Sequence, residues 1–248
     1  MARKRDAANP NGSSLGTQDI HLWRARTQDL AADAGELAAT LSPDEHRRAQ
    51  GFASRDDRDA FVLRRGLLRV ILSRYLALDP AEVGFCYGLH GKPVLDPRFG
   101  ALSFSLSHAK ELVVCAVSRR AALGVDVELV EWRPDLDGIS ARFFAEEADV
   151  VVPLPGDARL PAFYRRWTRQ EAYLKATGDG LRAAPAGIEA GLAARGWKIE
   201  GIVPAPGYLG ALVAEGRDWR VSWLEWRQAP VGLALSPSGS GATRRRDP

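Results

Sequence analysis

The spacing of apolar and polar positions predicts where the helices of this chain lie. Apolar residues recur with the 3.6-residue helical period from about residue 57 to 76, which predicts a long helix. A shorter helix is predicted just before it, because Ser42, Pro43 and Glu45 have the spacing of an N-cap, a first helical position and a capping box. Two later helices are predicted over about 139–152 and 162–177, the second ended by Gly178.

Apolar runs and alternating residues predict the strands. The run 112–117 is typical of a buried strand, and valine and leucine alternate with charged residues over 124–129 as in a half-buried strand. Only a few residues separate these two strands, so a hairpin is expected between them. Three more strands are predicted over 197–199, 219–223 and 231–235.

The order of these elements predicts an α+β fold. Helices followed by strands occur twice, which indicates two similar halves meeting near residue 120, over 19–120 and 121–235. Residues 1–18 and 236–248 are rich in small polar and charged residues and are predicted to be disordered tails. No internal repeat is strong enough to prove a duplication.

Composition excludes several classes of protein. The 248 residues are 46% hydrophobic, enough for a full core. The net charge of +3 is too small and dispersed to indicate nucleic-acid binding. The sequence contains neither a run of about 18 apolar residues nor an apolar stretch behind the basic N-terminus, so a cytoplasmic protein without a membrane span is expected. Cys86 and Cys115 lie in apolar contexts and are predicted to be reduced and buried.

A basic stripe follows one edge of the predicted long helix. It consists of Arg58, Arg65 and Arg69. Such a stripe is commonly a solvated helix face, and the alternative is an anion-binding edge. It also supports a non-enzymatic alternative, a nucleic-acid-binding module, although the aromatic residues that would stack on bases are not interleaved with basic ones.

Three carboxylates stand in positions that suit a divalent cation. If 124–129 is a strand, Asp126 and Glu128 leave the same face about 7 Å apart. Glu171 and Lys175 are neighbours on one face of a predicted helix. Each pattern alone is commonly an ordinary surface feature. Together, the three acids offer the hard oxygen ligands that Mg²⁺ prefers, leaving its other positions for water and phosphate oxygens.

Two signatures in order resemble those of the 4′-phosphopantetheinyl transferases, in particular the larger, pseudo-dimeric Sfp type. Residues 124–128 match the family's Gly-(Ile/Val)-Asp-(Ile/Val)-Glu signature in full. The second signature, Trp-x-x-Lys-Glu-Ala-x-x-Lys, is matched about forty residues later by Trp167, Glu171, Ala172 and Lys175. Gln170 departs from it, because the family usually has lysine there.

Lesser motifs of the same family are present between about residues 42 and 181. They are Gly91-Lys92-Pro93, Phe104-Ser105-Leu106-Ser107-His108 and Arg142-Phe143-Phe144. The resemblance implies a monomer in which each half packs a helix on a small antiparallel sheet.

The resemblance also implies the reaction. Coenzyme A would donate its 4′-phosphopantetheine arm to a serine of an apo acyl or peptidyl carrier protein, releasing adenosine 3′,5′-bisphosphate. Asp126, Glu128 and Glu171 would hold Mg²⁺, with Mn²⁺ as a substitute. Lys175 would bind a phosphate oxygen, and Glu171 or water on the metal would take the serine proton.

Contacts with the two substrates are implied as well. Coenzyme A would be bound by Lys92, Ser107 and His108, with Arg48, Arg58 and Arg65 as weaker candidates for its 3′-phosphate. The carrier protein would dock near Arg142-Phe143-Phe144, and neither nucleic acid nor membrane is an expected partner. The enzymatic alternative is another Mg²⁺-dependent phosphoryl-transfer or phosphate-ester-hydrolysing enzyme, which needs the carboxylates but no coenzyme A pocket.

Overall fold

The computed structural model describes residues 15–88, 91–136, 138–139, 158–178 and 188–226. The strands in these ranges are β1 (Asp19–Arg26), β2 (Phe85–Tyr87), β3 (Pro93–Leu95), β4 (Ser103–Ala109), β5 (Leu112–Ser118), β6 (Leu123–Leu129), β7 (Trp197–Ile202), β8 (Tyr208–Glu215) and β9 (Arg220–Glu225). The helices are α1 (Thr27–Ala31), α2 (Ala34–Ala39), α3 (Pro43–Gln50), α4 (Arg55–Leu76), α5 (Arg159–Thr177) and α6 (Ile188–Arg195). The predicted α+β class is confirmed.

Local signals in the sequence determine the helix ends. At the start of α3, the Ser42 hydroxyl accepts from the Glu45 amide (3.3 Å) and the Glu45 carboxylate accepts from the Ser42 amide (2.9 Å), as predicted. Helix α4 begins two residues before its predicted start and ends at the predicted Leu76. Helix α5 ends where Gly178 adopts a positive φ of 80°, a conformation that costs glycine little.

The first sheet has the strand order β4-β5-β1-β9. Its strands pair antiparallel except for β9, which pairs in parallel with β1. Helix α4 packs on one face, where Leu67 and Ile71 meet Trp23 and Val113 in a buried cluster that also contains Leu15. Because β9 lies beyond residue 120, the first sheet contains a strand from the C-terminal part of the chain. The division into halves at residue 120 stays a prediction.

The second sheet has the order β6-β8-β7 and is antiparallel throughout. One face packs on the first sheet, where Ile20 and Leu22 of β1 meet Val125, Val127 and Leu212. The other face carries α5 through a cluster that includes Ala172, Leu174 and Val213. Helix, sheet, sheet and helix therefore form successive layers.

Two predictions about this core are wrong. Strand β5 does not form a hairpin with β6, because β5 is a central strand whose neighbours are β4 and β1, while β6 pairs with β8 in the other sheet. Cys86 is exposed on the β2-β3 hairpin, whereas Cys115 is buried as predicted, and both are free thiols.

Several predicted elements lie in parts of the chain that the structure does not describe. Most of the predicted helix over 139–152, Arg142-Phe143-Phe144 and the predicted strand over 231–235 lie outside the described residues. No helix within the described ranges is long and apolar enough to cross a membrane.

Candidate active site

A close crossing of β6 and α5 brings the predicted carboxylates together. Gly124, Asp126 and Glu128 alternate along β6 and share the face on which α5 lies. A Cβ atom at Gly124 would lie 2.0 Å from the Ala172 carbonyl oxygen, so only glycine allows this contact. Glu171 directly precedes Ala172 on the helix, and its pKa is raised by burial first and then by the charges of Asp126 and Glu128. The three acids from two elements therefore form one electrostatic group.

Asp126 is the most buried of the three acids, at 4% exposure. Its Oδ1 atom lies 2.7 Å from Lys175 Nζ and accepts a hydrogen bond of 2.8 Å from the Ser107 hydroxyl. Its Oδ2 atom is buried and has no hydrogen-bond partner among the described residues. One carboxylate oxygen is thus fixed, and the other is free to bind a ligand.

The two glutamates are held less tightly. Glu128 accepts one hydrogen bond of 3.2 Å from the Trp167 indole, and Glu171 Oε1 is buried without a partner in the described part of the chain. Burial raises the pKa of both glutamates, and the charge of Asp126 raises each pKa further. Ionising all three acids is therefore costly unless a cation is present.

The donor set fits a divalent cation. In the ranges that the structure describes, no group of three or more His, Cys, Asp or Glu side chains is already arranged as a metal centre. Two buried carboxylate oxygens, on Asp126 and on Glu171, nevertheless have no hydrogen-bond partner among the residues that the structure describes. Carboxylate oxygens are the ligands that Mg²⁺ prefers, and a cation would relieve the repulsion that raises the two glutamate pKa values.

A cavity of about 770 Å³ opens beside this group. Its walls come from α3, α4 and β4 on one side and from α5 on the other. The described lining residues include several cationic side chains and one carboxylate. The lining residues are Arg48, Phe52, Phe61, Arg64, Arg65, Leu68, Gly91, Lys92, Pro93, Phe104, Ser105, Leu106, His108, Glu171, Leu174, Lys175 and Gly178. The composition suits a large anionic ligand with an apolar part.

Known proteins are similar in sequence to both parts of the chain that line the cavity. A family model of the 4′-phosphopantetheinyl transferase superfamily matches residues 122–197, and one described as 4′-phosphopantetheinyl transferase, N-terminal, matches residues 22–120. The 4′-phosphopantetheinyl transferase HetI of Nostoc sp. is 37% identical over 225 residues, 85% of this chain and 94% of that protein. The chain belongs to the 4′-phosphopantetheinyl transferase superfamily.

A more distant relative is the 4′-phosphopantetheinyl transferase Sfp of Bacillus subtilis. It is 28% identical over 142 residues, 57% of this chain and 62% of that protein. Enzymes of the superfamily transfer the phosphopantetheine arm of coenzyme A to carrier proteins. The predicted enzyme class and reaction are therefore confirmed.

The cavity includes most of the residues that the sequence suggested for coenzyme A. Arg48, Arg65, Lys92, His108 and Lys175 all line it. Two other candidates lie elsewhere, since Arg58 is half-exposed beside Asp59 and Ser107 is buried against Asp126. Gln170, at the position where the family usually has lysine, is buried and is not one of the described lining residues.

The basic stripe on α4 is not a solvated face. Arg69 is 2% exposed, and its guanidinium donates 2.7 Å to Glu45 Oε2 and to the carbonyl oxygen of Val83 at 2.9 Å. Arg65 is 8% exposed and lies 3.5 Å from Glu45 Oε1, with Nη1 unpartnered among the described residues. The stripe therefore offers nucleic acid no continuous surface, because Arg58 is its only exposed member.

Two lining residues have strongly lowered pKa values. The pKa of Lys92 falls to about 8 because of burial and the charge of Lys175, and its ammonium donates to the carbonyl oxygens of Leu123 (3.3 Å) and Lys175. His108 is exposed on the cavity wall. Its pKa still falls to about 4, because neighbouring protein atoms displace part of the water around the ring and because Arg64 and Lys175 are nearby cations. His108 is therefore neutral at pH 7.

Sequence reasoning missed Arg64, which lines the cavity beside Arg65. A signal was present, because Phe61, Arg64 and Leu68 have the i, i+3, i+7 spacing of one helix face and all three line the cavity. The predicted basic stripe of Arg58, Arg65 and Arg69 did not include Arg64.

Proposed function

We propose that this chain transfers the 4′-phosphopantetheine arm of coenzyme A to a serine of an apo acyl or peptidyl carrier protein, with Asp126, Glu128 and Glu171 holding Mg²⁺. The observation that carries this proposal is the position of α5. The helix contributes Glu171 and Lys175 to the cavity wall, and Lys175 Nζ lies 2.7 Å from the buried Asp126. Glu171 thus lies in the wall of a cation-lined cavity, and Lys175 connects the same wall to Asp126, so the diphosphate of coenzyme A would meet the acidic group there.

The cationic walls supply charge for the phosphates of coenzyme A. Arg48, Arg64 and Arg65 lie on one side of the cavity, and Lys92 and Lys175 lie on the other. Guanidinium groups bind phosphate through paired hydrogen bonds, so the arginines are the candidates for the 3′-phosphate. The lysines are point charges suited to the diphosphate.

The chain's own groups then have separate tasks in the transfer. The serine oxygen forms a bond to the phosphorus of the phosphopantetheine arm as the bond to adenosine 3′,5′-bisphosphate breaks. Lys175 stabilises the charge that grows on the phosphate oxygens. Glu171 is one candidate to take the serine proton, since its pKa is raised by burial and by the charge of Asp126, and water on the metal is the other. Bound Mg²⁺ supplies additional charge for the departing phosphate.

The experiment is a loading assay. An apo carrier protein is incubated with the enzyme, coenzyme A and Mg²⁺, and its mass is followed. The proposal predicts a gain of one phosphopantetheine arm that chelation of the metal abolishes. Consumption of coenzyme A with the carrier mass unchanged would contradict it and would favour the hydrolytic alternative.

A pair of variants locates the chemistry in this assay. Asp126→Asn removes the charge of a carboxylate that pairs with Lys175, and loading should be lost. Glu200→Gln is the matched control, because Glu200 pairs with Lys198 at 2.9 Å on the edge strand β7, where both side chains are partly exposed. Loading by Asp126→Asn at the wild-type rate would remove the metal site from the proposal.

One chain supplies both walls of the cavity, which supports an enzyme that works as a monomer. The cytoplasm is the proposed location, because coenzyme A is available there. Loading activity per chain should be independent of protein concentration. A specific activity that falls on dilution would indicate that a second copy is needed.

A further inference from the structure

Two buried serines of β4 connect the first sheet to the acid-bearing strand of the second. Ser105 and Ser107 are 2% and 4% exposed and leave the same face of β4. The Ser105 hydroxyl accepts from the Val125 amide at 3.0 Å, and the Ser107 hydroxyl accepts from the Val127 amide at 3.3 Å. Side-chain oxygens thus satisfy the main-chain donors on both sides of Asp126.

Ser107 differs from Ser105 in what else it contacts. Its hydroxyl lies 2.8 Å from Asp126 Oδ1 and 3.0 Å from Lys175 Nζ. A hydroxyl has one proton to donate and two lone pairs to accept with. Ser107 donates to Asp126 and accepts from Val127 and Lys175, so its hydrogen-bonding capacity is used completely within the protein. It has nothing left to offer coenzyme A, the ligand that the resemblance suggested.

The same contacts determine which oxygen of Asp126 stays available. Ser107 and Lys175 both bind Oδ1, whereas Oδ2 is buried and unpartnered among the described residues. A carboxylate with one oxygen bonded by two donors cannot rotate without losing both bonds.

We infer that Ser107 is a positioning residue that fixes the rotamer of Asp126 and so presents Oδ2 to the metal. This inference rests on the metal site of the proposed function. Groups that orient a ligand from behind commonly change metal affinity by about 10–100-fold when they are removed. The two serines of the Ser-x-Ser motif then have different roles. Both accept hydrogen bonds from main-chain amides of β6, and Ser107 also orients the Asp126 carboxylate.

The test compares Ser107→Ala with Ser105→Ala. Each variant removes one acceptor from a β6 amide, but only the first removes the donor to Asp126. Mn²⁺ binding is measured by electron paramagnetic resonance on the protein saturated with coenzyme A, without carrier protein, after subtraction of Mn²⁺ bound by coenzyme A alone. Ser107→Ala should weaken Mn²⁺ binding by about 10–100-fold, and Ser105→Ala should leave it near wild type.

Three results separate the possible failures. Equal weakening in both serine variants would overturn the inference, since the serines would then act only by holding the strand, and wild-type binding by Ser107→Ala would overturn it as well. Asp126→Asn tests the metal site itself: if it binds Mn²⁺ like the wild type, Asp126 is not a metal ligand, and both the proposed metal site and the inference are wrong.

If Ser107→Ala does not fold, Ser107→Cys is the second variant. It keeps the side-chain volume with a weaker hydrogen-bond donor, and it must also weaken Mn²⁺ binding.

Discussion

At the scale of single residues, the buried carboxylate of Glu171 lowers the stability of the metal-free protein when it is ionised. Burial raises its pKa, and so does the neighbouring charge of Asp126. A raised carboxyl pKa means that the folded state holds the proton more tightly than the unfolded state does. The ionised side chain therefore destabilises the metal-free fold above the folded-state pKa, and this cost disappears as the pH falls and the carboxyl becomes protonated.

Replacing this charge should separate stability from activity. Glu171→Gln should leave the melting temperature of the metal-free protein at pH 7 to 8 unchanged or higher, and this gain should shrink as the pH is lowered. Loading of carrier protein should fall by on the order of 10²-fold or more, as when a group that stabilises transition-state charge is lost. The measurements are calorimetry across pH and the loading rate. A lower melting temperature at pH 8 would show that the carboxylate stabilises the fold, contrary to this account.

At the scale of elements, the sequence predicted features with local causes and missed those with distant ones. The capping box at Ser42, the extent of α4 and the end of α5 were predicted because each depends on neighbours in the chain. Strand β1 was missed because its polar His21 interrupts the apolar pattern. That histidine is buried, and its Nδ1 forms a hydrogen bond of 2.8 Å with the Tyr75 hydroxyl of the distant helix α4. The predicted β5-β6 hairpin is wrong because of distant partners as well: β1 pairs with β5 and β8 pairs with β6, and both come from distant parts of the chain.

The crossing of β6 and α5 predicts a large effect of one methyl group. Gly124→Ala would place Cβ 2.0 Å from the Ala172 carbonyl oxygen and 2.6 Å from the Ala176 amide nitrogen. The helix must then move away from the strand, so we expect a loss of about 1–3 kcal/mol or more in the free energy of unfolding. The loading rate should fall by more than the loss of folded protein explains, because Glu171 and Lys175 move with the helix.

Gly201→Ala on β7 is the control for this variant, because no atom of the described residues beyond its chain neighbours lies within 4 Å of its Cβ position. Urea unfolding and loading rates of the two variants make the comparison. Similar, small effects from both substitutions would show that α5 does not need the close approach.

The packing of α3 on α4 depends on a buried ion-pair group. Glu45 is 3% exposed and faces both Arg65 and Arg69. Glu45→Gln keeps the volume but leaves two guanidinium charges without their anion, which should cost about 3 kcal/mol or more. Asp44→Asn changes the exposed pair with Arg47 in the same helix and should cost less than about 1 kcal/mol. Equal losses in urea unfolding would contradict the assigned role of Glu45.

At the scale of the whole molecule, the site is built where the two sheets and their helices meet. The sequence motifs predict Asp126, Glu128 and Glu171 as metal ligands, because each signature is contiguous. The motifs could not reveal that Ser107 contacts Asp126, since this contact exists only after the layers have packed. Helical spacing did carry a signal for Arg64, but the cavity that it shares with Lys175 forms only in the fold. Motifs therefore supplied the chemistry of the site, and the fold supplied its shape.

The central claim is that coenzyme A and a divalent cation bind together at this junction. The most direct measurement is the coenzyme A dissociation constant by calorimetry, with and without Mg²⁺, for the wild type and for Glu171→Gln. The account predicts that Mg²⁺ tightens coenzyme A binding in the wild type and that this coupling is largely lost in the variant. An equal effect of Mg²⁺ on both proteins, or none on the wild type, would contradict it.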